Sequence, residues 1–392
     1  MDLLAVICEF NPFHTGHARL LAEARAKTAP DGVVGLMSGW FVQRAEPAIL
    51  PPFLRAKTAL YCGMDAVLQM PTCHSVAAAP DFAGNAVKTL ASIPQVRYLA
   101  FGAEDDEPLL RAIASVKCAE PPAFKEALHA ALDGGEGYAT ATAAAVCASL
   151  ESHKLPQKEL IAVLKKPNNI LAIEYLTAIE KYAPHISPVV VKRNDGGYHS
   201  KETSGALISA TAARALFEGG AFERLGAYLP QETLNECVSA YQNHPVNART
   251  LEALTIYALR TQVPSGPDAG EGLGNRLQTI AKKYGSLDEI VAHTANKRYT
   301  NARIKRVCLQ TLLGITERIA APAAKPFAVK REAAERLLPL FAHFPTRNRD
   351  YRQTEVLQKI AAIEQRAADI FALITNRRGN EFTDERLCIL ES

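Results

Sequence analysis

The residues best suited to chemistry stand near the start of the chain, where two histidines lie three positions apart. Residues 9–17 read EFNPFHTGH, directly after the apolar run 3–8 and before the helix-like run 18–27. A buried strand, a short turn and a helix start form an arrangement that attracts anions, because free backbone N–H groups and the helix dipole point at the turn. Gly16 leaves room for a phosphate, and the imidazoles of His14 and His17 can donate hydrogen bonds to it. The segment therefore predicts a nucleotide site.

Two other interpretations of this histidine pair must be weighed against the nucleotide site. A zinc site would need further ligands, but no cysteine or carboxylate stands nearby at metal-ligand spacing, so we predict no metal here. A surface loop with two ordinary histidines is the other alternative. Residues elsewhere in the chain must decide between these interpretations and the nucleotide site.

Length and composition predict an ordered two-domain protein of the cytoplasm. The chain has 392 residues, of which 48% are hydrophobic and 22% charged, more than one typical core accommodates. No basic leader precedes the first strand, and no long apolar run is free of charge, so we expect neither a signal peptide nor a membrane span. The eight cysteines lack Cys-x-x-Cys spacing and are expected to be reduced. Cys8 is expected to pack rather than act as a nucleophile.

Charge is distributed unevenly along the chain. The formal net charge is only +3, yet seven Lys or Arg fall between Lys282 and Arg306, and a second basic run spans residues 347–352. A local excess of this kind suits a phosphate backbone, although a solvated helix face is the usual alternative.

Hydrophobic patterning predicts an α/β domain followed by a helical one. Short apolar runs that indicate strands occupy residues 3–8, 33–37, 66–70, 96–101 and 186–192. Helix-like segments separate them, which favours a Rossmann-like parallel sheet covered on both faces. The Ala-rich stretch 107–166 predicts helical insertions, and a helix over 209–217 would be capped by Ser209 or Thr211. We expect this α/β domain over residues 1–220 and an all-helical domain over residues 221–392.

Further motifs follow the histidine pair in a characteristic order. They are the segments 37–48 (MSGWFVQRAEPA), 101–104 (FGAE), 166–171 (KPNNIL), 208–214 (ISATAAR) and 297–303 (KRYTNAR). Together with residues 10–17, they make the chain resemble the bacterial tRNA(Met) cytidine acetate ligase family, within the His-x-Gly-His nucleotidyltransferase superfamily. The resemblance covers nearly the whole chain. It implies that residues 1–220 form a nucleotidyltransferase-like ATP-binding catalytic domain and residues 221–392 a helical tRNA-binding domain. It also implies that ATP activates acetate as acetyl-adenylate. The acetyl group would then pass to the wobble cytidine of elongator tRNA(Met), with Mg²⁺ accompanying ATP.

The resemblance also assigns residues to the site. Catalysis falls to His14, His17 and Arg214, which would stabilise charge on the phosphates. The ATP-binding residues that it implies are Ile7, Cys8, Glu9, Phe10, Asn11, Pro12, Phe13, His14, Thr15, Gly16, His17, Ala18, Arg19, Leu20, Gly102, Asn168, Arg193, Asn194, Ser209, Thr211 and Arg214. Structural alternatives are a turn glycine for Gly102, helix capping for Asn168, and a plain helix cap with a solvated arginine for 209–214.

The acceptor side is expected at the end of the second strand. Residues that could line an acetate or cytidine pocket there are Ser38, Gly39, Gln43, Arg44 and Glu46. The chain departs from the family pattern with Trp40 in place of a smaller polar or histidine residue, Ala45 in place of glycine, and Gln69 in place of an acid. These departures concern the acceptor pocket more than ATP binding.

A basic helix start in the second half is the expected tRNA contact. The residues that we assign to it are Lys297, Arg298, Tyr299, Arg303 and Arg306. The cations would contact phosphates and Tyr299 could stack on a base, whereas the alternative is a solvated basic face with the tyrosine packed inward. Two rival functions remain: an adenylyltransferase that acts on a phosphorylated coenzyme precursor, and a tRNA-binding module with a vestigial nucleotide pocket.

Overall fold

A seven-stranded sheet forms the centre of the protein. The computed structural model describes residues 1–150, 157–193, 208–346, 349–378 and 387–390. The strands are β1 Leu3–Cys8, β2 Gly32–Ser38, β3 Phe41–Val42, β4 Glu46–Pro47, β5 Ala66–Met70, β6 Val96–Ala103, β7 Ser187–Lys192, β8 Lys325–Lys330 and β9 Cys388–Leu390. The main sheet has the order β7-β6-β1-β2-β5-β8-β9, and β3 and β4 form a separate hairpin. The Rossmann-like fold class predicted from the sequence is confirmed.

The helices follow the predicted pattern closely. In the first half they are α1 Thr15–Thr28, α2 Pro52–Tyr61, α3 Thr72–Ser75, α4 Ala79–Ala91, α5 Glu107–Ala119, α6 Pro122–Asp133, α7 Tyr138–Ser149, α8 Gln157–Lys165, α9 Pro167–Tyr182 and α10 Ala210–Glu218. In the second half they are α11 Gln231–Asn243, α12 Ala248–Thr261, α13 Leu273–Ala281, α14 Leu287–Thr294, α15 Asn301–Leu313, α16 Arg331–Leu337 and α17 Glu355–Ile374.

The strand order places a crevice beside β1. Strands β2 and β5 follow on one side of β1, whereas β6 and β7 lie on the other, and all of these neighbours run parallel. Loops that leave two adjacent parallel strands in opposite directions open a crevice at the carboxyl ends, which is where open α/β sheets bind ligands. The fold therefore brings the loops after β1 and β6 to the place where the histidine motif begins.

The expectation of only helices after residue 220 was wrong. Strand β8 pairs antiparallel with β5, and β9 pairs parallel with β8. The sequence concealed β8 because Pro326 interrupts a short apolar run, and proline lacks the N–H that a ladder uses. The main sheet is thus built from both halves of the chain and not from the first predicted domain alone.

The segment after β5 receives several contacts from the second half. His74 Nε2 lies 2.8 Å from the Ile319 carbonyl oxygen, and Gln310 Nε2 donates to the Val76 carbonyl at 3.0 Å. Glu364 on α17 accepts hydrogen bonds from the backbone N–H of Thr72 and from a neighbouring side chain. These contacts fix the helices of the second half against the rim of the sheet.

Two further features of the described residues concern the cysteines and the helices. All eight cysteines carry free thiols, and Cys8 is buried in the core beside the sheet. Within the described ranges, no helix is both long and apolar enough to cross a membrane.

The end of α1 offers a test of backbone conformation. Ala29 ends this helix in the left-handed region, at φ 43°, and its N–H bonds the Arg25 carbonyl. A Cβ is unfavourable at this φ, so Ala29→Gly should raise the free energy of unfolding by about 1 kcal/mol. The matched Ala26→Gly, on the exposed face within the same helix, should lower it by about 1 kcal/mol. Urea unfolding midpoints measure both, and shifts of the same sign would contradict the assignment.

Candidate active site

The histidine motif builds its own helix start. His14 is the N-cap of α1, and its Nδ1 accepts a hydrogen bond from the Gly16 N–H at 3.1 Å. In return, His17 Nδ1 accepts from the His14 N–H at 3.3 Å. The two rings stack with their centroids 3.8 Å apart. This reciprocal cap resembles the Ser/Thr…Glu capping box, with imidazoles in both roles.

In the first turn of α1, all of which the structure describes, every backbone N–H group already has a partner. The expectation that these N–H groups bind the phosphate is therefore corrected. Besides the Gly16 N–H on the imidazole, the Thr15 N–H donates to the Tyr228 carbonyl at 2.9 Å. The His17 and Ala18 N–H groups both donate to the His14 carbonyl, at 2.8 and 3.2 Å. An anion at this helix start must therefore bind side-chain donors.

The capping bonds also fix which ring nitrogen carries the proton. Burial, with Arg193 and Arg214 nearby, lowers the pKa of His14 to about 3. Burial, with His14 and Arg193 nearby, lowers the pKa of His17 well below its ordinary value. Both rings are thus neutral at pH 7, and since each Nδ1 accepts an N–H, each proton lies on Nε2. The motif presents neutral Nε2–H donors.

Gly16 is required by the cap rather than by a ligand. A Cβ at this position would lie 2.9 Å from His14 Cε1 and 3.1 Å from its Nδ1. The rings of Phe10 and Phe13 pack on His17, with centroid distances of 5.0 and 5.5 Å. The imidazoles are therefore held rigidly from both the helix and the preceding loop.

A cleft opens beside His17 at the crevice between β1 and β6. Residues that line it include Gly16, His17, Gly102, Asn168 and Arg193, which come from four separate stretches of the sequence. At Gly102 a Cβ would meet Arg193 Cγ and Cδ at 3.2 Å, so the glycine lets the arginine cross the end of β6. The fold thus brings His17 to the same cleft as Gly102 and Asn168, the predicted adenosine residues, whereas Arg214 is not among the residues that line it.

The start of α9 is fastened to the loop after β6. Asn168 does not cap its helix, since its Nδ2 donates to Glu104 Oε1 at 2.8 Å. Buried Asn169 accepts from the Glu104 and Asp105 N–H groups at 2.9 and 3.2 Å. Lys166 forms an ion pair with Asp105 at 2.7 Å. Sequence reasoning assigned no role to Glu104 or Asn169, although both fall within the quoted motifs.

A second helix start faces the same loop from α10. Ser209 caps this helix by accepting the Ala212 N–H at 3.1 Å, as predicted. Arg214 donates to the Asn11 carbonyl at 3.0 Å and to Thr211 Oγ1 at 3.3 Å. The Arg214 guanidinium is therefore held beside the histidine loop by residues of both segments.

Arg55 on α2 is the main residue that sequence reasoning missed. It is 1% exposed and donates to four carbonyls, those of Glu9, Ser38, Gly39 and Leu50. The sequence does indicate such a role, because an arginine on the apolar face of a short helix is buried and therefore needs hydrogen-bond partners.

The acceptor-side residues lie on the neighbouring rim, as expected. Glu9 Oε1 accepts the Gln43 N–H at 2.8 Å, and Ser38 is buried at the end of β2. Ala45 lies in the β3–β4 turn at φ 61°, a conformation that favours the glycine of the family pattern. Arg44 and Glu46 are exposed on this hairpin.

The basic cluster of the second half is partly occupied by internal contacts. Tyr299 is 7% exposed and packs inward with its hydroxyl on the Glu271 carbonyl, so its ring offers no open face for a base. Arg303 and Arg306 hold the loop before α13 through Glu271 and Asp268, each at 2.9 Å. Lys297 and Arg298 are exposed.

Two residues of the predicted sites are not among those that the structure describes, and the described residues contain no metal-binding group. Asn194 and Arg347 lie outside the described residues. Among the residues that the structure describes, no group of three or more His, Cys, Asp or Glu side chains is arranged to hold a metal ion.

Comparison with known proteins places the chain in a family. The profile of the HIGH nucleotidyl transferases matches residues 1–382. A tRNA(Met) cytidine acetate ligase of Thermoanaerobacter sp. (strain X514) is 34% identical over 325 residues, which cover 81% of this chain and 80% of the relative. One from Listeria monocytogenes is 36% identical over 330 residues and covers 82% of each chain. The chain belongs to the tRNA(Met) cytidine acetate ligase family.

Solved structures agree with this tRNA(Met) cytidine acetate ligase fold. Thermotoga maritima TmcAL, in its apo form I, matches with a TM-score of 0.91 at 24% identity, and the alignment covers 100% of both chains. The same protein bound with alpha-thio ATP matches with a TM-score of 0.87, again at 24% identity and over 100% of both chains. Family membership makes the chain an enzyme of the ligase class and confirms the resemblance drawn from its motifs.

The buried imidazole of this family member makes its stability depend on pH. With a folded pKa of about 3 against an ordinary value of 6.5, His14 takes up a proton on unfolding at intermediate pH. The free energy of unfolding should therefore fall as pH drops below about 6.5, and His14 should contribute about 2 kcal/mol of that loss between pH 7 and pH 5. His14→Gln, which keeps an acceptor and a donor, should remove this contribution, whereas the exposed His129→Gln should keep the wild-type dependence. Urea unfolding at both pH values decides, and an unchanged slope for His14→Gln would contradict the prediction.

Proposed function

We propose that the protein uses ATP to activate acetate as acetyl-adenylate. It then transfers the acetyl group to N4 of the wobble cytidine of elongator tRNA(Met). The acetate carboxylate attacks the α-phosphorus and pyrophosphate leaves; the N4 amine then attacks the carbonyl carbon, loses a proton, and AMP leaves. The observation that carries the proposal is the pair of stacked imidazoles at the crevice of the sheet, each of which accepts a backbone N–H at Nδ1. The names of the relatives from Thermoanaerobacter and Listeria support the choice of substrates.

The first step requires charge stabilisation rather than a base. Acetate is already ionised at pH 7, so the protein must hold the phosphates and stabilise the charge that develops on their oxygens. His17 lines the cleft and His14 stacks on it, and we assign both to the α- and β-phosphates. Arg214, held by Asn11 and Thr211, has a planar fork suited to the departing pyrophosphate.

Adenosine is assigned to the other side of the cleft. Gly102, Asn168 and Arg193 line it together with His17, and Asn194 follows directly in the sequence. The Glu104 carboxylate holds the Asn168 amide, so that amide has a fixed orientation toward a ribose or base. The Thermotoga relative with bound alpha-thio ATP supports a nucleotide in this fold.

Mg²⁺ fits this site as a companion of ATP rather than as a resident ion. Mg²⁺ keeps several waters and is usually held by substrate phosphates with one or two carboxylates. Glu9 is the acidic residue of the histidine loop, and its carboxylate already accepts the Gln43 N–H. We therefore assign the metal to the triphosphate itself, where it would neutralise charge.

The two parts of the chain have different roles in this proposal. Residues 1–220 supply the adenylate site, and residues 221–392 supply the tRNA contacts. Lys297 and Arg298 are exposed beside Arg303 and Arg306, which rigidify the same helix start. Tyr299, packed inward, supports this surface through its bond to the Glu271 carbonyl.

Removal of one imidazole tests the adenylate site. His17→Ala should slow acetyl-adenylate formation by about 10²–10³-fold, because one preorganised donor to the transition state is removed. Acetate-dependent exchange of labelled pyrophosphate into ATP measures the step without tRNA, and His129→Ala, on the exposed face of α6, serves as the matched control. A folded His17→Ala protein with wild-type exchange would contradict the proposal, and so would exchange that does not depend on acetate.

Neutralisation of the exposed cations tests the tRNA surface. The double variant Lys297→Gln with Arg298→Gln should weaken tRNA binding and reduce the log–log salt slope by about 0.7–0.9 for each phosphate that the variant no longer binds. Acetyl-adenylate formation should continue, since these residues lie outside the cleft. Filter binding across a salt series measures the slope, and an unchanged affinity and slope would assign the pair to a solvated face.

A further inference from the structure

A second pocket lies on the same rim of the sheet, between β5 and α17. The aromatic side chains of Trp40, Phe53, Phe327 and Tyr351 line it, and its volume is about 100 Å³. The Phe53 and Phe327 rings stack with their centroids 4.2 Å apart. A closed cavity of roughly 150 Å³ holds benzene, so this smaller, open pocket takes at most one six-membered ring, partly in its mouth, and is too small for a fused purine.

The polar side chains that line the pocket include Lys325 and Gln365, and two others, Gln69 and Glu364, are held by hydrogen bonds. Glu364 Oε2 accepts a hydrogen bond from Gln69 Nε2 at 3.0 Å, and its other oxygen accepts the Thr72 N–H. Each carboxylate oxygen can accept two hydrogen bonds, so Glu364 keeps acceptor capacity toward the pocket. Gln69, which stands where the family pattern has an acid, thus holds a carboxylate supplied by α17. An aromatic wall with one oriented carboxylate suits a flat ring that bears an amine.

The pocket lies on the opposite side of the histidine loop from the adenosine residues. The strand register aligns Cys8 with Met37, Met37 with Gln69, and Gln69 with Lys325. Two strand spacings therefore separate the pocket edge at Gln69 from the end of β1, a distance of about 10 Å. Gly102 lies in the other direction, on β6. In acetyl-adenylate the phosphate lies between the adenosine and the acetyl group. With adenosine beside β6 and phosphate at the histidine loop, the acetyl group points toward β2 and β5, and the acceptor must approach from that side.

We propose that this pocket binds the cytosine base whose amine is acetylated. Glu364 accepts a hydrogen bond from the exocyclic N4 amine, and the aromatic wall contacts the ring. A uracil, which presents a carbonyl oxygen in place of the amine, is rejected because two acceptors would face each other. This assignment rests on the proposed function and names the side chain that selects the acceptor base.

The pocket contains its own reporter, because Trp40 is the single tryptophan of the chain. A short RNA hairpin with one cytidine in its loop should quench the fluorescence of Trp40 saturably. The same hairpin with uridine at that position should require roughly tenfold more RNA, since it cannot form the one oriented hydrogen bond to the base edge. The measurement uses the wild-type protein, so it does not depend on the folding of a variant.

Two variants of α17 sharpen the test. Glu364→Gln should abolish the preference for cytidine over uridine, whereas Glu355→Gln, the same substitution at an exposed position of the same helix, should preserve it. Equal quenching by both hairpins, or no quenching by a hairpin that filter binding shows to be bound, would overturn the assignment. Acetate-dependent pyrophosphate exchange, measured without RNA, keeps the two proposals apart. If exchange fails, the proposed function is wrong; if exchange occurs without cytidine preference, only this pocket assignment is wrong.

Discussion

The buried guanidinium of Arg55 holds together the two loops on which the site depends. It binds the carbonyls of Glu9, which leaves β1, and of Ser38 and Gly39, which leave β2, as well as that of Leu50. Burial lowers its pKa to about 10, so the group is still charged at neutral pH. A buried charge is tolerated only when it is well hydrogen-bonded, so the guanidinium depends on these carbonyls and the carbonyls depend on it. The histidine loop and the acceptor rim therefore keep a fixed separation.

The way in which the histidine motif handles charge follows from this rigidity. The helix start uses its N–H groups in internal bonds, which assign the ring protons to Nε2. Burial lowers the pKa of both imidazoles, so they are neutral at pH 7. Neutral donors stabilise phosphate charge without the cost of burying cations. Positive charge comes instead from Arg214 and Arg193, which lie close enough to lower the pKa of His14. In the proposed function, the imidazoles would thus orient the phosphate and the arginines would supply the positive charge.

The sequence allowed most of the fold and the location of the site to be predicted. Continuous apolar strands and a glycine between two histidines follow local rules, and the structure brings Gly102, Asn168 and Arg193 to the predicted crevice. What escaped prediction depends on tertiary partners. Strand β8 is short and contains Pro326, so only its pairing with β5 makes it a strand.

The missed side chains have the same explanation. Arg55 gains its role from loops that are up to 46 positions away in sequence, and no local pattern encodes those partners. Glu364, 295 positions from Gln69, reaches the rim only because α17 docks there. The same holds for Tyr299. The sequence does not say which side of this helix start faces the core, and the structure turns the tyrosine inward.

A crystal structure with a non-hydrolysable acetyl-adenylate analogue would test the central claim most directly. The claim is that neutral imidazoles at the β1–β6 crevice hold the reacting phosphate. The α-phosphate oxygens should lie within about 3.2 Å of the Nε2 atom of His17 or His14, with the adenine beside Gly102 and Asn168. A phosphate bound instead to backbone N–H groups of the first turn of α1, or an adenylate bound elsewhere on the sheet, would contradict the account.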